Sequence, residues 1–187
     1  YRKELETYQK YIPEERLHLA EDRVFYYVHH VYSDFTQENI KIALAFQREV
    51  INNILPRVRP DLIHCNDWMT GLIPGYSRMV GVPALFTLTN IHTVKASLAE
   101  IEDRGIDAAE FWQHLYYDYM AVNYEETRET NPVDFLVSGV FGAHFVNTVS
   151  PTFLREIVSG RHDFVSPALR QELTNKDHSQ CAYGILN

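Results

Sequence analysis

The chain has 187 residues, of which 45% are hydrophobic and 22% charged, a balance typical of a folded globular domain rather than a disordered chain. Its 17 basic and 25 acidic residues give a net charge of −8, which disfavours a nucleic-acid-binding protein. The sequence holds no apolar run of roughly 18 residues that would span a membrane, and Cys65 and Cys181 do not make a disulfide framework. We therefore expect a cytoplasmic protein whose partners include neither a membrane nor nucleic acid.

The first part of the chain predicts one strand and one long helix. Residues 1–22 are polar and lack a clear period, which indicates a surface loop with a short helix. The apolar and aromatic run 24–28 is typical of a buried strand. Over 36–55, apolar residues recur at spacings of three and four, which predicts an amphipathic helix that ends at Pro56.

The middle of the chain predicts two further strands with a short helix between them. The runs 61–65 and 84–88 are apolar and bounded by turn residues, which favours buried strands. A helix begins near Trp68, and Pro74 with its neighbouring glycines shortens or kinks it.

The last part of the chain continues the alternation of helices and strands. Ser150 and Pro151 form a helix start, with serine as the N-cap and proline at the first helical position. The predicted helices cover 95–104, 108–127, 133–140 and the segment after Ser150, and the predicted strands cover 143–148 and 181–186. Apolar strands that alternate with helices indicate an α/β fold, a Rossmann-like parallel sheet flanked by helices.

The ends of the predicted strands indicate where a ligand binds. In parallel α/β sheets, ligands bind at the carboxyl ends of the strands. These ends carry short polar side chains and an indole, around Asp67, Thr89, Ser150 and Asn187. Such side chains bind sugars through hydrogen bonds and ring stacking. The strand ends hold no Gly-rich phosphate loop, so the sequence favours a sugar site at this edge.

Four segments, in order, resemble the bacterial glycogen synthases and plant starch synthases. Residues 60–68 read PDLIHCNDW, similar to the family's PD-(apolar)2-H-x-HDWH segment, and 86–90 read FTLTN, similar to FTxHN. Residues 147–157 read NTVSPTFLREI, very similar to TTVSPTYAxEI, and 184–187 read GILN, the start of GILNGxD. The resemblance extends over about residues 32–187 in order and spacing.

The resemblance implies a retaining glucosyltransferase of the two-domain GT-B type. Such an enzyme moves glucose from ADP-glucose or UDP-glucose to the end of an α-1,4-glucan, without a cofactor or metal. Residues 1–187 would form a single, partial N-terminal domain on the acceptor side, inactive alone. The family's Gly-rich loop would lie before Tyr1, and its nucleotide-sugar domain, the partner within the full-length protein, after Asn187. A homodimer is a further expectation.

The strand-end positions and the resemblance together assign roles to residues. Asp67, Thr89 and Asn90 are the catalytic candidates that position sugars, since a carboxylate accepts hydrogen bonds from two neighbouring hydroxyls. The alternative for Asp67 is a helix cap. Trp68 is a candidate to stack on the acceptor glucan, and its alternative is a core residue. The other candidates for substrate binding are Tyr32, Asp34 and Asn187.

Several positions depart from the family pattern. Asn66, Met69 and Thr89 stand where the family has histidines, and a hydroxyl at Thr89 cannot carry a proton as imidazole does. Val137 stands where the family has a lysine. Three hypotheses therefore stay open: a glycogen or starch synthase-like enzyme, a related glycosyltransferase with another donor or acceptor, and a carbohydrate-binding or regulatory module without catalysis.

Overall fold

A computed structural model describes residues 16–26, 28, 30 and 32–186. Within these residues the strands, in chain order, are β1 (Ile63–Asn66), β2 (Ala84–Leu88), β3 (Lys95–Ala96), β4 (Val133–Asp134), β5 (Phe145–Thr148) and β6 (Ala182–Gly184). β1, β2, β5 and β6 form a parallel sheet in the order β1-β2-β5-β6, and β3 pairs with β4 antiparallel. The predicted α/β fold class, a parallel sheet flanked by helices, is confirmed.

A helix precedes each strand of the parallel sheet, and within the described residues one also follows β1, β2 and β5. The helices of the described residues are α1 (Thr36–Glu49), α2 (Leu55–Val58), α3 (Ile73–Val80), α4 (Leu98–Asp103), α5 (Tyr124–Thr130), α6 (Phe135–Gly142), α7 (Pro151–Val158) and α8 (Pro167–His178). A π-helical turn, Val50–Ile54, joins α1 to α2. The helical path therefore continues past Pro56, which lies in α2 directly after the π-helical turn. None of these helices is long and apolar enough to cross a membrane.

The two faces of the parallel sheet differ in what covers them. One face, which includes Phe86 at 0% exposure, packs against α3, α6 and α8 in the hydrophobic core. On the other face Phe145 is 51% exposed, and a row of hydrogen bonds joins His64 to Thr87 at 2.7 Å and Thr87 to Asn147 at 2.6 Å. Parallel sheets are normally covered on both faces, so within the described residues this sheet has one open face.

The predicted strand at 24–28 is wrong. The structure has a 3-10 turn at Arg23–Phe25 instead, and the side chain of Asp22 starts it by accepting a hydrogen bond from the N–H of Val24 at 2.8 Å. A strand needs a neighbour for its backbone groups, and the described residues place no strand beside this segment.

The predicted helix at 108–127 is wrong over 108–123, and only its end, from Tyr124, is helical, as the start of α5. Residues 108–123 form short 3-10 turns and an extended stretch in which Tyr117 pairs with Val133. The side chain of Asn131 accepts from the N–H of Tyr119 at 3.0 Å and donates to its carbonyl at 2.9 Å. These contacts occupy the backbone groups that a continuous helix would have used.

Two helix starts are set by side-chain caps. The predicted helix 95–104 begins only at Leu98, because Ser97 and Glu100 form a reciprocal capping box there. The predicted N-cap at Ser150 is confirmed, since its hydroxyl accepts from two N–H groups of the first turn of α7, at 3.1 and 3.3 Å. Ser150 is thus a structural residue at the carboxyl edge of the sheet.

Candidate functional site

Asp67, the residue after β1, has a backbone conformation that costs free energy. Its φ is 54° and its ψ is −179°, a combination that almost only glycine adopts. The N–H of Asp67 donates to the carbonyl of Thr87 at 3.0 Å, which continues the β1–β2 pairing by one residue. Strain of this kind costs about 1–3 kcal/mol and concentrates at functional sites.

The side chain of Asp67 joins the ends of β1 and β2. One carboxylate oxygen accepts the N–H of Thr89 at 2.8 Å, and the other accepts the hydroxyl of Thr89. The amide nitrogen of Asn90 lies 3.4 Å from that second oxygen. The structure thus brings together the three catalytic candidates, here called the Asp67 cluster. The helix-cap alternative for Asp67 is wrong, since its side chain makes no cap hydrogen bond to the turn that follows.

Trp68 lies beneath the site and not on its surface. The residue is 0% exposed, so its ring offers no face to a sugar, and the predicted stacking role does not fit this position. The indole packs between two rings, with centroids 6.1 Å away at Tyr32 and 5.4 Å away at His92. Trp68 therefore supports the site as a core residue, which is the alternative that the sequence left open.

A groove of about 670 Å³ opens beside the Asp67 cluster. The predicted residue Tyr32 forms one wall, 51% exposed. Asn39, buried in α1, fixes the loop that carries Tyr32, because its side chain accepts the N–H of Ser33 at 2.7 Å and donates to the carbonyl of Ser33 at 2.9 Å. The lining residues, here called the Tyr32 groove, are Tyr32, Ser33, Asn39, Trp68, Asn90, Ile91 and His92.

Sequence reasoning missed Asn39 and His92 as site residues. The signal for Asn39 was an amide on the buried side of an amphipathic helix, since a buried polar group requires partners. The signal for His92 was its position two residues after Asn90 at the end of β2, where the loop turns back along the sheet edge. Both residues line a groove because the loop before α1 supplies Tyr32 and Ser33 to the same groove.

Two predicted residues do not join the groove. Asp34 is exposed and lines a separate pocket of about 240 Å³ that shares Tyr32 with the groove. Asn187 lies outside the described residues. The strand that leads to it ends with Gly184 in register with Thr148, at the carboxyl edge of the sheet.

The positions that depart from the family pattern have different surroundings. Asn66 is exposed at the end of β1, and Met69 packs against the core. Val137 is 1% exposed inside α6. Of the three positions that replace histidines, Thr89 is the one whose side chain bonds to Asp67. Of the three, Thr89 is therefore the replacement that belongs to the Asp67 cluster.

The site offers hydrogen bonding rather than covalent chemistry. Burial raises the pKa of the nearby Cys65 thiol to about 12, which keeps it protonated and unreactive. The described residues contain no group of three or more His, Cys, Asp or Glu side chains placed to hold a metal ion. A carboxylate, a hydroxyl and an amide around a groove are suited to hold a sugar by its hydroxyls.

Comparison with known proteins finds glycogen synthases among the relatives of this chain. The glycogen synthase of Rhizobium tropici is 30% identical over 139 residues, which cover 74% of this chain and 26% of that protein. Glycogen synthase 2 of Nitrosococcus oceani is 35% identical over 103 residues, covering 54% of this chain and 19% of that protein. The chain thus spans about a quarter or less of the length of these curated relatives.

The fold is similar to that of a solved structure, the catalytic domain of Starch Synthase IV from Arabidopsis thaliana bound to ADP and acarbose. The TM-score is 0.59 at 24% identity, and the match covers 87% of this chain and 32% of that one. A family model described as the starch synthase catalytic domain matches residues 3–177. The chain belongs to this family, and it is a glycogen or starch synthase-like glycosyltransferase domain.

Proposed function

We propose that the full-length protein is a retaining glucosyltransferase that elongates an α-1,4-glucan from ADP-glucose or UDP-glucose. Residues 1–187 form most of its acceptor-side domain in this proposal. The observation that carries it is the Asp67 cluster, which joins two strand ends beside an open groove. Family membership supports the reaction class, and the partial coverage of relatives supports a further domain.

In this proposal the Asp67 cluster positions sugars and does not form bonds with them. The carboxylate oxygen of Asp67 that accepts the N–H of Thr89 has no second donor among the described residues, so it keeps a lone pair that can accept a sugar hydroxyl. The acceptor hydroxyl oxygen forms a bond to the anomeric carbon on the face from which the nucleotide diphosphate leaves, as the bond from that carbon to the phosphate oxygen breaks and the hydroxyl proton passes to the leaving phosphate. Cations of the second domain stabilise the leaving group, and domain closure excludes water. No metal or cofactor takes part.

The hydroxyl of Thr89 favours one alternative, a related glycosyltransferase with another sugar donor or acceptor. The side chain of Thr89 is turned onto Asp67 and is shorter than an imidazole. It leaves more space beside the cluster than histidine does, and a different sugar would use that space. A binding module that keeps the same fold is the third candidate. Action in the cytoplasm and pairing with a second copy stay predictions.

The test is the release of nucleotide diphosphate by the full-length protein with ADP-glucose or UDP-glucose, with and without maltoheptaose. Release that depends on the acceptor supports a synthase and identifies the donor. Asp67→Ala should lower it about 300-fold, whereas Asp163→Ala, at an exposed carboxylate in the turn before α8, should leave it unchanged. No release from either donor, in protein shown to be folded, would reject the proposal, and glucan binding without release would favour the module.

A further inference from the structure

His92 presents an imidazole to the Tyr32 groove. Its side chain is exposed, and the residue lines the groove together with Tyr32 and Asn90. Within the described ranges neither ring nitrogen of His92 has a hydrogen-bond partner, although the neighbouring polar groups of the Asp67 cluster bond to one another. The ring nitrogens are therefore available to a ligand in the groove.

The imidazole is held in place by its neighbours. The N–H of His92 donates to the side-chain oxygen of Asn90 at 2.8 Å, which fixes the backbone. The ring meets the indole of Trp68 edge-on, with the centroids 5.4 Å apart and the planes at 71°. Because Trp68 is fully buried, this contact restrains the histidine ring before any ligand binds. A restrained side chain loses less entropy on binding, which favours affinity.

Asn90 connects His92 to the Asp67 cluster. Its side-chain oxygen accepts from His92, and its amide nitrogen points to the carboxylate of Asp67 at 3.4 Å. The exposed ring of Tyr32 also packs against Trp68, 6.1 Å away between centroids. A sugar in the groove thus meets both a phenol ring and an imidazole.

We propose that His92 contacts the glucan in the Tyr32 groove and that Trp68 positions the imidazole of His92. This inference rests on the proposed function, since it names a residue that binds the acceptor. The imidazole of His92 donates a hydrogen bond to a sugar hydroxyl or accepts one from it. Thr89 lies three residues earlier in the chain, and its own hydroxyl is turned to Asp67. Tyr32 supplies the apolar surface for a pyranose ring.

The experiment is an NMR titration of the isotope-labelled full-length protein with maltoheptaose. We expect the ring signals of His92 and the backbone signals of Thr89 and Asn90 to shift together. His92→Phe keeps a ring against Trp68 but no polar atoms, and should weaken binding about tenfold, the loss typical of one hydrogen bond in a recognition site. His92→Gln keeps a donor and an acceptor and should recover part of the affinity. His178→Ala, an exposed histidine at the end of α8, is the control and should bind as the unchanged chain does.

Three results would overturn the inference. If the signals of Thr89 and Asn90 shift while the His92 ring does not, and His92→Phe binds normally, the glucan binds without the imidazole. If no groove signal shifts although the full-length protein releases nucleotide diphosphate, the proposed function stands and the place of the glucan is wrong. If neither shift nor release occurs, both proposals fail. The backbone spectrum of each variant checks that it is folded.

Discussion

The two ends of the parallel sheet use polar side chains in different ways. At the amino end, the guanidinium of Arg78 donates to the carbonyls of Gly142 at 2.6 Å and Ala143 at 3.1 Å. The ammonium of Lys176 donates to the carbonyl of Ala143 at 2.5 Å. These carbonyls end helix α6 and have no partner within it, so the two cations complete the helix.

At this amino end, the pKa values of two basic side chains, Lys176 and His144, are lowered. Burial lowers the pKa of Lys176, and burial followed by the charges of Arg78 and Lys176 lowers the pKa of His144. The neutral ring of His144 accepts the N–H of Ala84 at 3.1 Å through Nδ1. Each of these side chains bonds to backbone groups, which indicates a structural role.

At the carboxyl end the polar side chains keep bonding capacity beside an open groove. Asp67 holds a strained backbone, and its carboxylate connects two strand ends. Thr89 and Asn90 complete a cluster that lies next to the exposed ring of His92. Polar clusters of one domain can thus be separated by the partners of their hydrogen-bonding groups. Clusters whose groups bond to the backbone stabilise the fold, and clusters that keep bonding capacity beside a groove are suited to a ligand.

The largest effect is expected from Asp67→Ala on catalysis by the full-length protein. Loss of the carboxylate should lower acceptor-dependent release of nucleotide diphosphate about 300-fold, or about 3.4 kcal/mol in transition-state stabilisation. The groups that Asp67 binds are near solvent, so the free energy of unfolding should change little. Steady-state kinetics and urea unfolding check the two parts. An unchanged rate would remove Asp67 from the site.

The second effect concerns stability at the opposite end. Arg78→Ala removes two charged hydrogen bonds to the carbonyls that end α6 and should lower the free energy of unfolding by about 2.5 kcal/mol. Affinity for maltoheptaose should not change. Arg155→Ala, at an exposed arginine of α7, is the control and should cost less than about 0.5 kcal/mol in urea unfolding. Equal losses for the two variants would contradict the assigned role of Arg78.

The strain at Asp67 predicts an unusual order of stabilities. Asp67→Gly should be more stable than Asp67→Ala by about 1.5 kcal/mol, because glycine adopts a φ of 54° with ψ near 180° at little cost. At Asp163, whose φ is not positive, the order of the two substitutions should reverse. Urea unfolding of the four variants measures both differences. If Asp67→Ala were at least as stable as Asp67→Gly, the backbone of Asp67 would not be strained.

The smallest effect is expected at Cys65 and tests whether the middle of the sheet excludes water. The pKa of Cys65, in β1, is raised by burial from 9.0 to about 12. As pH rises, the thiol ionises first in the unfolded chain. The contribution of Cys65 to the free energy of unfolding is therefore complete below about pH 9 and is lost above it, by about 1.4 kcal/mol at pH 10. Urea unfolding of the unchanged chain and of Cys65→Ala, each measured below pH 9 and at pH 10, isolates this contribution. Equal pH dependence in the two proteins would show that the thiol is not buried.

Part of the fold could be predicted because its signals are local. The strand at 84–88, the helix over 36–55 and the cap at Ser150 follow from apolar period and capping chemistry. Parallel topology then places Asp67 and Thr89 at one edge, since the carboxyl ends of neighbouring strands meet there. The meeting of these two residues was therefore accessible from sequence.

The rest depended on contacts between distant segments. The aromatic stretch 108–127 has helical composition, yet Asn131 and Val133 hold it extended. Trp68 has the position of a surface residue after a strand, and the packing of Tyr32, α1 and α6 buries it. Helix α8 was not predicted, because few of its residues are apolar and buried.

The central claim is that the carboxyl end binds sugars and the amino end stabilises the fold. Hydrogen–deuterium exchange of the full-length protein, with and without maltoheptaose and the donor that supports turnover, tests it most directly. The account predicts slower exchange in peptides that cover 66–72 and 88–93, and no change in peptides that cover 141–145 and 173–180. Protection at the amino end, or none at the carboxyl end while turnover proceeds, would contradict it.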